Sequence, residues 1–170
     1  MRDQDEMGRS DEPMLHDATG IPAELHLSCD AAPSIETRRS LGDAIDEFHA
    51  RTVPQDAQRF ALLLRDNDNR LVGGLSSLLS WQWLFVDALW VGDAWRRRGI
   101  GRALLTRAET YAVAAGCHSA WLDTFQARGF YLALGYRQFG VLNDYPPGHA
   151  RFFLCKRLVP AMEAPIGPLV

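Results

Sequence analysis

The chain has 170 residues, which suits one domain, and 47% of them are hydrophobic, enough to bury a core. Its formal net charge of −3 argues against general nucleic-acid binding, because the arginines form a local cluster and not a broad basic surface. No apolar stretch approaches the length of a membrane span, and the chain does not open on a hydrophobic signal region. We therefore expect a cytoplasmic protein with neither nucleic acid nor a membrane as its partner.

The cysteines are odd in number and widely spaced, at Cys29, Cys117 and Cys155, and no Cys-x-x-Cys pair occurs. This arrangement favours neither a disulfide framework nor a zinc site. The sequence therefore predicts buried free thiols in a reducing compartment and no metal site.

The termini differ in composition from the rest of the chain. Residues 1–20 are polar and acid-rich without usable periodicity, which predicts a flexible leader. Residues 161–170 include two prolines and predict a loose tail. Between them, residues 21–160 predict one folded domain.

The first half of this domain reads as a strand, a helix and a meander. Residues 24–28 alternate like a strand, and Ser34 is placed to cap a helix that apolar spacing extends to Ala50. Strands are predicted over residues 59–65, 71–80 and 84–91, all antiparallel. Gly73-Gly74 marks either a bulge or a close approach of two backbones.

The second half begins with a helix from Gly99 to about Ala115, which Gly116 stops. A strand over residues 119–123 follows this crossover, so it should run parallel to residues 84–91. The rest is predicted as a short helix (126–134), a strand (136–141), a rigid loop (143–149) and a last strand (151–157).

A cluster of arginines and glycines, residues 96–102, stands between the strand that ends at Val91 and the helix. Glycine lets the backbone turn tightly and lets an anion approach it. The first turn of a helix adds unpaired N–H groups at the positive end of the helix dipole. The segment predicts a phosphate cradle; an ordinary strand-to-helix loop with solvated arginines is the alternative.

Two familiar phosphate loops do not fit, because neither a P-loop pattern nor a Rossmann Gly-x-Gly-x-x-Gly is present. The pattern that remains, Arg96-x-x-Gly99-x-Gly101, resembles the acetyl-CoA-binding motif of the GNAT superfamily of N-acetyltransferases. Residues 127–136 are similar to a second segment of that family, Ala-x-x-Phe-Tyr-x-x-x-Gly-Phe/Tyr. The resemblance covers roughly residues 24–158.

The resemblance implies an α/β (α+β) fold with a mixed, mostly antiparallel sheet of about seven strands, splayed between two central parallel strands and flanked by helices. It also implies an acetyl-CoA-dependent N-acetyltransferase that acts directly, in a ternary complex, on a primary amine of a small molecule, peptide or protein. A non-catalytic acyl-CoA-binding regulatory module is the alternative. A third reading, a nucleic-acid-associated protein, is disfavoured by the acidic balance. A homodimer is a further expectation.

By the same resemblance, the pantetheine arm of acetyl-CoA should run along the strand that ends at Val91, and its pyrophosphate should lie on the turn. Thr124 stands where the family often has asparagine. The residues expected to bind the cofactor are Leu89, Trp90, Val91, Arg96, Arg97, Arg98, Gly99, Ile100, Gly101, Arg102 and Thr124.

Two residues are expected to be catalytic. Tyr131 matches the family's usual general acid, and a phenol is protonated at neutral pH and can donate to a thiolate. A tyrosine of the core or of the CoA site is the alternative. Asp87 is the only ionisable residue in the strand over residues 84–91, so it should bind the acceptor ammonium or accept its proton. A structural salt bridge is the alternative for Asp87.

The wall of the acceptor pocket has three candidates, Trp83, Tyr145 and His149. Core packing or loop rigidity explains each of them as well. No feature of the sequence names the acceptor.

Overall fold

The structure, a computed structural model, describes residues 20–22 and 24–159. The chain divides into two compact units, and the boundary lies between Phe48 and His49. The predicted leader (1–20, apart from Gly20) and the predicted tail (161–170) lie outside the described residues, so their character stays a prediction.

The first unit contains most of helix α1 (Ile35–Ala50). The helix begins as predicted, because the Thr37 N–H donates to Ser34 Oγ at 3.0 Å, the bond of an N-cap. The strand predicted over residues 24–28 is wrong: the Leu25 N–H instead donates to the Pro22 carbonyl at 2.9 Å, in a turn. An alternating pattern forms a strand only where another strand pairs with it, and no described strand pairs here.

The second unit is built on a six-stranded sheet in the order β1-β2-β3-β4-β6-β5. Strands β3 and β4 are parallel, as the helical crossover between them predicts, and all other neighbours are antiparallel. The fold class is confirmed, and the described residues form six strands where about seven were expected. The strands are β1 (Gln58–Arg65), β2 (Leu71–Ser80), β3 (Trp83–Val91), β4 (Ser119–Thr124), β5 (Arg137–Asn143) and β6 (Ala150–Arg157).

The crossover helix α2 (Ile100–Ala114) packs against β2 and β3. Helix α3 (Arg128–Leu132) contacts β5 and is shorter than predicted, because bends and a turn replace its ends. No helix of the described chain is long and apolar enough to cross a membrane. The core is mainly aliphatic, although Tyr131 and Tyr136 are also buried in it. Its largest fully buried side chains are Leu75, Leu84, Leu105, Leu122 and Leu154.

The parallel pair β3–β4 is joined for only part of its length. Pairing begins at Trp83 with Ser119 and ends at Phe85 with Trp121, although both strands continue beyond this point. The sheet is therefore split at the carboxyl ends of its two central strands. An open split between parallel strands leaves backbone N–H and C=O groups that a ligand can bind.

A β-bulge follows directly in β3. Ser77 lies opposite Val86 and Ser76 lies opposite Ala88, so Asp87 is the extra residue. The bulge shifts the alternation by one position, and Leu89, like Val86 before it, belongs to the core side of the sheet. Asp87 is thereby left on the other face.

Two smaller predictions have mixed outcomes. The glycine pair in β2 marks a close approach, because a Cβ on Gly74 would lie 2.9 Å from the Leu62 carbonyl oxygen. Cys117 and Cys155 are buried free thiols, as predicted, but Cys29 is exposed, because it lies in an irregular segment of the first unit and not in the sheet.

Candidate active site

A cavity of about 520 Å³ opens where the end of β3 meets the turn before α2 and the start of α3. It brings most of the predicted phosphate cradle together with Tyr131, although the two segments are well separated in sequence. The lining is Leu89, Val91, Trp95, Arg96, Arg97, Gly99, Ile100, Gly101, Arg102, Ala127, Phe130 and Tyr131.

The backbone of the turn is shaped by Gly99, the N-cap of α2, which has a left-handed conformation with φ 79°. A Cβ there would meet no atom within 4 Å, so conformation and not crowding requires glycine. The N–H groups of Ile100, Gly101 and Arg102 lie in the first helical turn, where no helical partner is available. No acidic residue lies in that turn, so the helix end is suited to an anion.

Two arginines of the cluster brace the turn. Arg96 Nε donates to the Val91 carbonyl at 3.0 Å, and its guanidinium pairs with Asp93 at 2.8 Å. The Arg98 guanidinium lies 5.2 Å from the centre of the Trp95 ring, a cation–π contact. Arg96 therefore fixes the strand-to-turn corner while it also lines the cavity, whereas Arg98 does not line it.

Two other expected cofactor residues also lie outside the lining. Trp90 is 47% exposed and alternates with Leu89 and Val91, so it faces away from the cavity. Thr124 Oγ1 accepts a hydrogen bond from the Ala127 N–H at 3.1 Å, which shapes the turn before α3.

Tyr131 is 6% exposed and lies on the cavity wall. The centre of its ring lies 4.9 Å from the centre of the Phe130 ring and 5.7 Å from that of the Tyr136 ring, and both contacts are edge-to-face. Burial, and secondly the charge of Asp123, raise the pKa of Tyr131 to about 12. The hydroxyl is therefore protonated at neutral pH. Phe130 also lines the cavity but was not predicted as a site residue, although it belongs to the same motif as Tyr131.

Asp87 lies on the bulge, where its Oδ2 accepts a hydrogen bond from the Ser76 hydroxyl at 3.0 Å. Among the ion pairs of the described residues, none involves Asp87, so the salt-bridge alternative has no support there. A bulge re-aims a side chain at a site, and bulges are frequent beside active sites.

A second carboxylate, Asp123 on β4, was not predicted to have a role. It pairs with Arg151 of β6 at 2.8 Å, and the Arg151 guanidinium lies 4.6 Å from the centre of the Tyr145 ring. The sequence offers one signal for it, a charged residue near the carboxyl end of a buried strand. Its partner is contributed by a different strand and was not predictable from spacing.

The acceptor candidates separate into two places. Tyr145 contacts Arg151. The centre of the His149 ring lies 6.2 Å from that of Phe125, the residue that follows the end of β4. Trp83 instead lies at the paired end of β3, with its ring 5.6 Å from that of His118. The structure thus brings Tyr145 and His149 to the open end of the split and leaves Trp83 at the opposite end.

The chain is similar to known acetyltransferases in both sequence and fold. A sequence profile described as acetyltransferase (GNAT) family matches residues 25–136. Blasticidin-S acetyltransferase of Streptomyces morookaense is 45% identical over 91 residues, which cover 52% of this chain and 67% of that protein. Acetyltransferase Atu2258 of Agrobacterium fabrum is 31% identical over 125 residues, or 72% and 91% of the two chains. A crystal structure from Agrobacterium tumefaciens, described as an acetyltransferase, has a TM-score of 0.75 and 27% identity, and the match covers 78% and 99% of the chains.

Proposed function

Since the chain belongs to the acetyltransferase (GNAT) family and is an acyltransferase, we propose that it moves an acetyl group from acetyl-CoA to a primary amine. The observation that carries this proposal is the cavity that joins a basic, uncapped helix end to a buried, protonated Tyr131. Acetyl-CoA supplies an acetyl thioester and, in its pyrophosphate, the anion for which that helix end is suited.

The proposed cofactor residues divide by the part of acetyl-CoA that they hold. The N–H groups of Ile100, Gly101 and Arg102, with the Arg97 side chain, bind the pyrophosphate. The backbone of β3 between Leu89 and Val91 binds the pantetheine arm, because β4 does not pair with this part of β3. The turn itself is maintained by Arg96, Arg98 and Gly99. Trp90 contributes only its backbone to the cofactor site. Thr124 contributes by shaping the turn before α3.

The proposed transfer is direct. The amine nitrogen forms a bond to the thioester carbon, the C–S bond breaks with its electron pair on sulfur, and Tyr131 donates its proton to that sulfur. Asp87 binds the ammonium and takes one proton before the attack, directly or through water. The second proton, which the nitrogen loses as the amide forms, passes to the Tyr131 phenolate and restores its hydroxyl. Tyr131 reaches the split from the core side and Asp87 from the other face of β3. Acetyl-CoA and the acceptor amine can therefore occupy the split at the same time, and catalysis by proximity requires this.

For the acceptor we propose a small molecule that enters between Asp87 and the loop over residues 143–149, with Tyr145 and His149 in its wall. Trp83 is left out, because it lies at the paired end of β3. The name of the 45% identical relative makes blasticidin S the first acceptor to test on this protein.

The test is a CoA-release assay with acetyl-CoA and a panel that contains blasticidin S, small amines and peptides with a free N-terminus or lysine. We expect CoA release above the acceptor-free rate for at least one small amine, with a product heavier by one acetyl group. A protein that binds acetyl-CoA but releases no CoA with any member of the panel would contradict the proposal.

A further inference from the structure

The loop over residues 144–149, between β5 and β6, is braced by its own hydrogen bonds. The Gly148 N–H donates to Asp144 Oδ1 at 2.7 Å, and the Tyr145 N–H donates to the His149 carbonyl at 3.2 Å. Bonds of this kind between a side chain or carbonyl and a nearby N–H hold a turn in one conformation. Because they join the two sides of the loop, a contact made by one loop residue helps to set the position of the others.

Arg151 connects this loop to the central strands. It lies in β6, two residues after the loop, and its guanidinium lies 4.6 Å from the centre of the Tyr145 ring. The same guanidinium donates from Nη1 to Asp123 Oδ2 at 2.8 Å. Asp123 is itself held in the sheet, because β4 pairs with β6 at this position, opposite Phe153. A planar guanidinium can stack on a ring with its face while it bonds a carboxylate with its edge.

The setting of Arg151 favours a positioning role over a purely stabilising one. The side chains of the ion pair are 29% and 24% exposed, and partly buried ion pairs add little net stability. In addition, Arg151 Nε is buried and has no hydrogen-bond partner among the described residues, which costs free energy. What the arginine provides at this cost is a fixed geometry between Asp123 and Tyr145.

We propose that Arg151 is a positioning residue, which holds Tyr145 in the wall of the acceptor pocket by tying its ring to Asp123 of β4. This inference rests on the proposed function, in which Tyr145 and His149 line that pocket. The contact of His149 with Phe125 gives the loop a second attachment at the end of β4. Both attachments lie outside the cavity proposed for acetyl-CoA, so Arg151 should affect the acceptor and not the cofactor.

The variant Arg151→Met keeps an unbranched apolar side chain and removes both contacts. We expect KM for the acceptor to rise about tenfold or more, as loss of a hydrogen bond between charged groups implies. The Kd for acetyl-CoA should change less than about twofold and kcat less than about threefold, because the cavity is untouched and Tyr131 stays protonated. Blasticidin S is the acceptor used or, if it is not acetylated, the small amine of the panel with the highest rate.

A double-mutant cycle with Tyr145→Leu tests whether Arg151 acts through Tyr145. Each single variant should raise KM, and the double variant should raise it little beyond the larger single effect, because no shared contact is left to remove. Effects that multiply, or an unchanged KM in Arg151→Met, would overturn the inference. Arg70→Met, which removes an exposed arginine paired with Asp68, is the matched control and should change neither KM nor Kd.

Two measurements separate this inference from folding and from the proposed function. If Arg151→Met does not fold with Asp123 left unpaired, the double variant Asp123→Asn, Arg151→Met removes both charges and is measured in its place. Proton NMR tests the positioning without an acceptor, because the ring signals of His149 depend on the nearby Phe125 ring. These signals should shift in the Arg151 variant and not in Arg70→Met. Unshifted signals would overturn the inference, whereas shifted signals without acetyl transfer to any amine would contradict only the proposed function.

Discussion

Tyr131 is the residue whose surroundings say most about the chemistry. It is buried, lies on the cavity wall, and has its pKa raised to about 12 by burial and by the Asp123 charge. A group with this pKa is protonated at neutral pH, so its hydroxyl is present as a hydrogen-bond and proton donor when charge builds on a neighbouring sulfur.

Replacing Tyr131 with phenylalanine keeps the ring and removes only the proton donor. We expect kcat to fall about a hundredfold, while the Kd for acetyl-CoA stays nearly unchanged, because the hydroxyl matters mainly as charge builds on sulfur. Steady-state kinetics and calorimetric binding measure the two quantities. Tyr136→Phe is the matched control, because Tyr136 packs against Tyr131 without lining the cavity. A loss in kcat below about threefold for Tyr131→Phe would reject its role as the acid.

Helix α2 is flanked at each end by a glycine with a left-handed backbone conformation, but only one of the two glycines lies at the cavity. Gly99 before it and Gly116 after it have φ of 79° and 91°, and a Cβ on either would meet no atom within 4 Å. Only the Gly99 end lines the cavity. The pair therefore separates backbone strain from ligand binding.

We expect saturating acetyl-CoA to raise the Tm of the native protein, since a ligand at about 100 times its Kd stabilises by about 2.7 kcal/mol. Gly99→Val should reduce this shift, because the free protein relieves the strain of a β-branched residue in the left-handed conformation by moving the turn, and restoring the turn for binding then costs about 1–2 kcal/mol. Gly116→Val should lower the Tm of the free protein and retain the shift. Thermal unfolding with and without acetyl-CoA measures all three. An undiminished shift in Gly99→Val would mean that the cradle does not bind the cofactor.

For the whole molecule, the two buried tyrosines make stability depend on pH in the alkaline range. Burial raises the pKa of Tyr131 to about 12 and moves the pKa of Tyr136 in the same direction. Since the folded pKa exceeds the unfolded value of 10.0, the neutral form is favoured by folding. The contribution is fully present below pH 10 and is lost as pH rises through the folded pKa.

We expect the free energy of unfolding to fall between pH 10 and pH 12, with Tyr131 accounting for about 2–3 kcal/mol of the loss. Denaturant unfolding at a series of pH values measures it. The double variant Tyr131→Phe, Tyr136→Phe should show a shallower decline, because it lacks both ionisable hydroxyls. Parallel declines in the native and double-variant proteins would contradict this assignment of the pH dependence.

The sequence by itself determined the features that depend on neighbouring residues. The N-cap at Ser34, the tight turn at Gly99, the positive-φ stop at Gly116 and the parallel direction of β4 all follow from short-range chemistry or chain geometry. The fold class and the acyltransferase family follow from two motifs of this kind. The expected homodimer, cytoplasmic location and individual site roles stay predictions.

Only the tertiary structure decided which distant side chains meet. Residues 24–28 alternate like a strand yet pair with none of the described strands. Trp83 is close to Asp87 in sequence, but it lies in the part of β3 that pairs with β4, away from the split. Asp123 and Arg151 are 28 residues apart and meet because β4 and β6 pair in one register. The bulge at Asp87 likewise exists only against β2. The pairing register of the strands brings together segments that are far apart in the chain, and local sequence patterns do not specify which residues will be opposite one another.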